Sequence, residues 1–150
     1  MTSELQVKIG LYPDVGATVN FCRFVQMGST RTQSGQTVRE CIQADDGTRA
    51  TGDIIPGVAV GRGPTSSIVG AATGEDSRPI DICVFGRVHV VAGTALDPAT
   101  VRYITCDANG EAIAAVLGTH QVLGYLISPI TVADGALAEI MLVPHLAYAS

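Results

Sequence analysis

The sequence predicts a mostly-β domain of the barrel or sandwich class. Short segments in which apolar and polar residues alternate recur along the chain, and none keeps the period of a long amphipathic helix. Turn dipeptides separate several of these segments, namely Asp46-Gly47, Asn109-Gly110 and Asp134-Gly135. Many short strands with turns between them are typical of closed or stacked β-sheets, which bury one face of each strand.

Residues 1–35 are predicted to form either an arm that lies on a partner or the first hairpin of the barrel. A β-barrel-like domain is predicted to follow over residues 36–150. Residues 5–9 alternate as a short strand, and residues 19–27 are rich in β-forming side chains. Residues 28–35 consist of Gly, Ser, Thr, Gln and Arg, a composition that predicts a loop.

Further strands are predicted at short intervals from residue 37 onward. They cover residues 38–43, 54–60, 79–92, 101–105, 122–127 and 137–143. Pro56 lies within the second of them and predicts an edge or bulged strand. In the third, the apolar alternation pauses at Gly86, which predicts a bulge or a tight bend.

Turn and helix signals complete the expected secondary structure. Turns are predicted at residues 45–47, 107–110 and 133–135, where Asp-Gly and Asn-Gly favour the positive φ of tight hairpins. A single helical turn is predicted at residues 97–100, with Asp as the cap and Pro at the first position. Residues 111–117 fit a short helix, although the segment is too short to decide.

Composition indicates a protein whose surface contacts other protein. Hydrophobic residues make up 47% of the chain and charged residues only 15%, against about 25% in ordinary soluble domains. Lysine occurs once, at Lys8. The alternative is a compact β domain whose surface is Thr, Ser and Gly. The net charge of −5, with the arginines scattered singly, argues against nucleic-acid binding.

No membrane span or export signal is expected. The sequence contains no run of eighteen or more apolar residues, and residues 1–4 lack the basic and apolar regions of a secretory signal. We therefore expect the protein to be made in a cytosol-like compartment and to stay there until it is released.

No catalytic, cofactor-binding or metal-binding residues are predicted. The sequence contains no G-x-S-x-G nucleophile elbow and no Gly-Lys-Ser/Thr phosphate loop. Residues 107–110 resemble part of a calcium loop, but Thr105 and Val116 occupy its first and closing ligand positions. No two histidines have metal-ligand spacing. His89 alternates with Val88 and Val90, so its side chain is predicted to point away from the apolar face of its strand.

The four cysteines are expected to be buried free thiols. Cys22, Cys41, Cys83 and Cys106 are far apart in sequence, with no C-x-x-C pair. In a reducing compartment such residues usually act as small hydrophobic side chains.

Residues 45–143 resemble the family of phage capsid decoration proteins, also called cement proteins. The segment at residues 84–96, VFGRVHVVAGTAL, is similar to the family's "apolar-x-Gly-x-Val-x-Val-x-Ala-Gly" stretch. Other segments follow in the family's order: the earlier Gly-Val-Ala strand at residues 55–59, the Asp-Ala-Asn-Gly turn within residues 101–110, the Val-Leu-Gly strand at residues 122–126 and the closing strand at residues 134–142. The shared order carries more weight than any single segment.

The resemblance implies a small β-barrel or β-tulip-like domain on the outside of an icosahedral phage head. Such a protein would form a homotrimer, bind the major capsid protein, and hold neighbouring capsomers together. It would be made in the host cytoplasm and would act without catalysis or a cofactor. Residues 1–44 depart from the family core.

Contacts with the capsid or with a second subunit are expected mainly in the N-terminal segment. It combines an apolar strand with aromatics beside an arginine, a mixture that interfaces favour. The expected contact residues are Val7, Ile9, Leu11, Tyr12, Phe21, Arg23 and Phe24, together with Arg62 in a predicted loop. The alternative is that residues 19–27 form a barrel strand with both phenylalanines in the core.

Two other functions compete with the capsid hypothesis. A ligand- or sugar-binding β-barrel would need an aromatic cluster, whereas aromatics are only 5% of the chain and tryptophan is absent. A small hydrolase would need His89 or His120 beside a nucleophile and an orienting acid.

Overall fold

The computed structural model describes residues 6–51, 53–61, 71–73 and 78–143, and in these residues the fold is almost entirely β. Apart from one 3-10 turn at Arg49–Thr51, the regular structure of this part of the chain consists of strands. The mostly-β prediction is confirmed. The strands are β1 (Gln6–Pro13), β2 (Thr18–Asn20), β3 (Arg23–Gln33), β4 (Gln36–Gln43), β5 (Gly57–Gly61), β6 (Ala71–Thr73), β7 (Ile80–Val91), β8 (Tyr103–Cys106), β9 (Ala112–Ala114), β10 (Gly124–Leu126) and β11 (Leu137–Leu142).

Five strands close into a barrel, in the order β1, β4, β3, β5 and the first half of β7, so both long strands of the N-terminal segment belong to it. β1 lies parallel to β4, with Tyr12 opposite Glu40, and antiparallel to β7, with Ile9 opposite Ile82. The first and last strands of the row therefore pair with each other. Closure of this kind removes the free sheet edges that an open sheet would expose.

The second half of β7 leaves the barrel and begins a second lobe. It pairs with β11, and the sheet continues through β10 and β8 to β9. Just after β7, Ala92 forms a parallel bridge with Ala112 of β9, and the N–H of Gly93 donates to the carbonyl of Ala112 at 2.8 Å. The sheet of the second lobe therefore curls back toward its first strand.

Gly86 marks the point at which β7 passes from the barrel to the second lobe. Its φ of +108° lies in a region that side chains other than glycine rarely adopt. Odd- and even-numbered residues of a regular strand face opposite sides. Cys83 before Gly86 and Val88 after it nevertheless lie in the same core cluster, so the alternation is interrupted between them. The predicted irregularity at Gly86 is confirmed.

The apolar interior is divided into two clusters by the wall of the barrel. Sequence neighbours on three barrel strands fall into different clusters: Val25, Ala59 and Ile82 face the barrel interior, whereas Phe24, Val58 and Cys83 face outward. The outward set packs with residues of the second lobe such as Leu96, Ile104, Leu123 and Ile140. The wall is therefore apolar on both sides, and the second lobe covers its outer side.

Two predicted turns are confirmed. The turn at residues 107–110 connects β8 and β9 as a hairpin, with Gly110 at φ +72° and the Asp107 carboxylate accepting the N–H of Asn109 at 2.8 Å. At residues 97–100 the Asp97 carboxylate accepts the N–H of Ala99 at 2.9 Å, as expected of a cap.

Two other local predictions are wrong. Residues 28–35 do not form a loop, because β3 continues to Gln33 and turns at Ser34 and Gly35, which both have positive φ. The polar composition reflects exposure of both faces of the strand. Residues 111–117 do not form a helix. Pairing with β8 places Ala112–Ala114 in strand β9, and tertiary pairing overrides weak local helix propensity.

Residues 45–60 differ from the prediction in their connections. The Asp46 carboxylate accepts the N–H of Thr48 at 2.8 Å, and the carbonyl of Gly47 accepts the N–H of Gln121 at 2.8 Å. This segment therefore crosses to the second lobe and does not turn back as a hairpin.

The strand predicted at residues 54–60 is shorter than expected. β5 begins after Pro56 and lies between β3 and β7, so it is not an edge strand. The predicted bulge is present as a register shift between Ala59 and Gly61.

Candidate interaction surface

Two of the predicted contact residues lie on an exposed part of β1. The side chain of Val7 is 48% exposed and that of Ile9 is 36% exposed. Gln6, next to Val7, donates from Nε2 to the carbonyl of Arg87 at 2.7 Å. This end of β1 therefore borders the junction between the barrel and the second lobe. Because Ile9 lies opposite Ile82, its partly exposed side chain is on the barrel-interior face of β1.

Other predicted contact residues are enclosed by the protein itself. Phe24 is fully buried and Leu11 is 4% exposed, so both side chains pack in the core and do not face a partner. Phe24 lies on the outer side of the barrel wall, which the second lobe covers. Phe21 is half-buried against the barrel core. Arg62 lies outside the described residues.

Arg23 and Tyr12 make contacts within the chain. The guanidinium of Arg23 lies 2.8 Å from the carboxylate of Glu111 and so links β3 to the turn before β9. Tyr12 lies under the guanidinium of Arg31, whose central carbon is 5.5 Å from the ring centroid. Both residues therefore tie neighbouring parts of the fold together.

A row of aromatic and long side chains crosses the outer face of the second lobe. Tyr103 of β8 lies opposite Tyr125 of β10, Tyr125 lies opposite Met141 of β11, and Met141 lies opposite Arg87 of β7. Residues directly opposite each other share a face of the sheet. Both tyrosines are 42% exposed. We call these four residues the aromatic row. Tyr, Met and Arg are the residue types that protein interfaces favour.

Charges beside the aromatic row are paired. The guanidinium of Arg87 forms an ion pair with the carboxylate of Glu139, and exposed His89 lies opposite Glu139. The N–H of Glu139 donates to Ser128 Oγ at 2.8 Å, which fixes the backbone behind the ion pair. The predicted outward orientation of His89 is confirmed. The face thus presents aromatic area next to matched charges, an arrangement suited to burial against another protein.

Two loops place more apolar side chains at one end of the second lobe. Val116 and Leu117 are 57% and 66% exposed in a tight turn whose conformation is held by an N–H from Val116 to His120 Nδ1 at 2.9 Å. The N–H of Arg49 donates to the carbonyl of Thr119 at 2.8 Å and joins this turn to the 3-10 turn. Ile54, shortly after the 3-10 turn, is 59% exposed.

All four cysteines are buried thiols. Burial raises the pKa of Cys41 to about 12, and the nearby Glu40 and Asp14 carboxylates add to the effect. Burial likewise raises the pKa of Cys106 to about 12, with further contributions from Asp107, Asp46 and Asp45. These thiols stay protonated at neutral pH, so they behave as apolar core groups and not as nucleophiles.

The described residues hold no group of three or more His, Cys, Asp or Glu side chains that could bind a metal ion. A search of the same residues finds no helix with the length and apolar character needed to cross a membrane.

Comparison with known proteins identifies a structural neighbour. No protein-family model matches the chain, and no curated protein matches it significantly. Among solved structures, the fold is similar to the crystal structure of the head fiber gp8.5 N base in bacteriophage phi29, with a TM-score of 0.57 and 14% sequence identity. The alignment covers 93% of this chain and 95% of that one. At this level of identity the likeness establishes a shared fold.

Proposed function

We propose that this chain is a structural protein of a bacteriophage virion. It binds the outer surface of the icosahedral head through the major capsid protein and strengthens the contacts between capsomers. The observation that carries the proposal is the fold shared with a phage head fiber base over nearly the full length of both chains. Because a fold alone does not fix a function, the properties of the surface have to support the same conclusion.

The exposed apolar surface supports a binding role. The aromatic row lies in register across four strands, and Val7 and Ile9 are exposed near the junction of the two lobes. Exposed aromatic side chains lined up on one face of a sheet are typical of an interaction site. We assign the aromatic row to the contact with the head, because its exposed tyrosines supply large rigid side chains of the kind that dominate binding energy.

Self-association and localisation complete the proposal. A closed homotrimer would let each subunit bury part of its weakly charged surface on its neighbour. The protein is made in the host cytoplasm and joins the outside of the head. It acts by binding, without a catalytic step or a cofactor. The net charge of −5 does not favour contact with the packaged nucleic acid.

Surface labelling of intact particles tests the proposal. Lys8 is the only lysine in the chain and is exposed on β1, so an amine-reactive biotin reagent applied to purified virions should modify it. Particles that carry a Lys8→Arg variant are the matched control and should lose that modified peptide. The proposal predicts that the chain co-purifies with heads and is labelled before they are opened. A chain absent from purified virions, or labelled only after disruption, would contradict it.

A further inference from the structure

β3 and β4 extend beyond the barrel as a two-stranded ribbon, residues 29–39. Within the barrel, β3 pairs with β5 only at Arg23–Val25, and β4 pairs with β1 only at Glu40 and Cys41. Farther out, Thr30 to Gln33 lie opposite Gln36 to Arg39, and no other described strand pairs with either segment. In the part of the chain that the structure describes, the ribbon therefore projects from the barrel and neither of its outer edges pairs with another strand.

The base of the ribbon is fixed by a buried carboxylate. Glu40 is 4% exposed and accepts hydrogen bonds from Ser29 Oγ at 3.0 Å and from Arg31 Nη1 at 3.3 Å. The same Nη1 donates to the carbonyl of Pro13 at 3.0 Å, and the guanidinium stacks on Tyr12. These contacts tie the base of the ribbon to β1.

Beyond the packed side chain of Arg31 at its base, the ribbon is largely exposed. No residue from 29 to 39 is buried, and most of them are exposed. An isolated two-stranded hairpin is only marginally stable in water. Proteins usually protect open edges with Lys or Pro, and this segment contains neither. A ribbon of this kind gains stability when another protein surface covers it.

The charge distribution indicates what that surface is. Residues 15–39 contain three arginines and no acidic residue. The rest of the chain carries the other six basic residues and all fourteen acidic residues, a net charge of −8. Arg23 and Arg31 are paired within the chain, whereas Arg39 is exposed on the ribbon. Only Arg31 and Arg39 of these lie on the ribbon, and Glu40 neutralises Arg31, so Arg39 gives the ribbon one positive charge that is complementary to the acidic body of a second copy.

We infer that the ribbon of one copy packs on the acidic body of a second copy, head to tail. This inference deepens the homotrimer in the proposed function and rests on it. Head-to-tail contacts use two different surfaces of each subunit and close into rings when the rotation between copies allows it. The aromatic row lies on the second lobe, away from the ribbon, and remains free for the head.

Charge reversal on the ribbon tests the inference. Arg39→Glu is compared with Arg102→Glu, which makes the same change at an exposed position just before β8. Both variants should melt like the wild type. Sedimentation at low and high salt should show that Arg39→Glu raises the dissociation constant for self-association about tenfold or more and removes most of its salt dependence. Arg102→Glu should associate like the wild type.

Several outcomes would overturn the inference. They are normal association of Arg39→Glu, equal loss in Arg102→Glu, or a wild-type chain that stays monomeric at every concentration and also on heads. Binding of the wild-type chain to heads is measured in parallel. If heads bind the wild type while Arg39→Glu associates normally, the ribbon inference fails and the proposed function stands. If the wild type does not bind heads while Arg39→Glu alone loses self-association, the proposed function fails and the ribbon inference stands.

Discussion

Arg31 and Glu40 form an ion pair at the base of the ribbon, with 3.3 Å between Nη1 and Oε2 and with side chains that are only 14% and 6% exposed. Because Glu40 also lies opposite Tyr12 in the parallel pairing of β1 with β4, this contact joins the ribbon to the closure of the barrel. Attachment of the ribbon and integrity of the barrel therefore depend on the same carboxylate.

Replacing Glu40 with alanine should destabilise the protein. The substitution leaves the Arg31 guanidinium partly buried without its carboxylate and removes the acceptor of Ser29, which should lower the free energy of unfolding by about 2 kcal/mol. Urea denaturation measures the change. Gln36→Ala, at an exposed position near the ribbon tip, is the control and should stay within about 0.5 kcal/mol of the wild type. Equal stability of the two variants would show that the ion pair contributes nothing.

Proline at position 37 should weaken self-association without unfolding the ribbon. Gln33 and Gln36 close the two-residue turn, so the next pair, Thr32 and Thr37, directs its N–H and C=O groups outward. Thr37→Pro removes one outward N–H, which open edges tolerate. Sedimentation should show weaker association for Thr37→Pro than for Thr37→Val, which keeps the N–H. Identical association would mean that the edge makes no main-chain contact with the second copy.

Alkaline pH should destabilise the fold through the buried thiols. In the unfolded chain a cysteine ionises near its ordinary pKa of 9.0, whereas burial raises the pKa of Cys41 and Cys106 to about 12. The unfolded state therefore holds fewer protons in this window, and the free energy of unfolding falls as the pH rises from about 9 to about 12. Cys106→Ala should show a shallower fall than the wild type in pH-dependent urea denaturation. An unchanged slope would contradict the raised pKa.

Replacing Tyr125 with serine should reduce head binding and leave the fold intact. The ring is 42% exposed in the aromatic row, so its loss should lower stability by less than about 1 kcal/mol. Val15→Ser removes a 63% exposed apolar side chain in the turn before β2 and serves as the control. Pelleting with heads should show weaker binding only for Tyr125→Ser. A loss shared by both variants would remove the aromatic row from the contact.

Sequence patterns predicted the parts of the fold in which one face of a strand is buried. In the second half of β7 and in β11 the alternation of apolar and polar residues reflects burial of one face, and both strands lie close to their predicted ranges. The ribbon was missed because both of its faces are exposed, so its sequence has the composition of a loop. The sequence does not show that Phe24 is buried, because a strand that is covered on both sides has apolar residues on both faces and therefore no alternation of apolar and polar residues.

The aromatic row could not be predicted from the sequence for a different reason. Tyr103, Tyr125 and Met141 belong to three separate strands, and only their register brings them into line. Each one alone is an ordinary outward-facing residue of a short strand. Non-local pairing of this kind depends on the order of strands in the sheet, which local periodicity does not encode.

Titration of phage heads that lack this chain with the purified protein tests the central claim most directly. Heads from a phage that carries a deletion of its gene are pelleted after incubation with increasing amounts of the protein, and the bound chain is quantified against the major capsid protein. The account predicts binding that saturates at a fixed ratio of chain to capsid protein and that raises the melting temperature of the heads. Binding at background level, or binding that rises without a plateau, would contradict it.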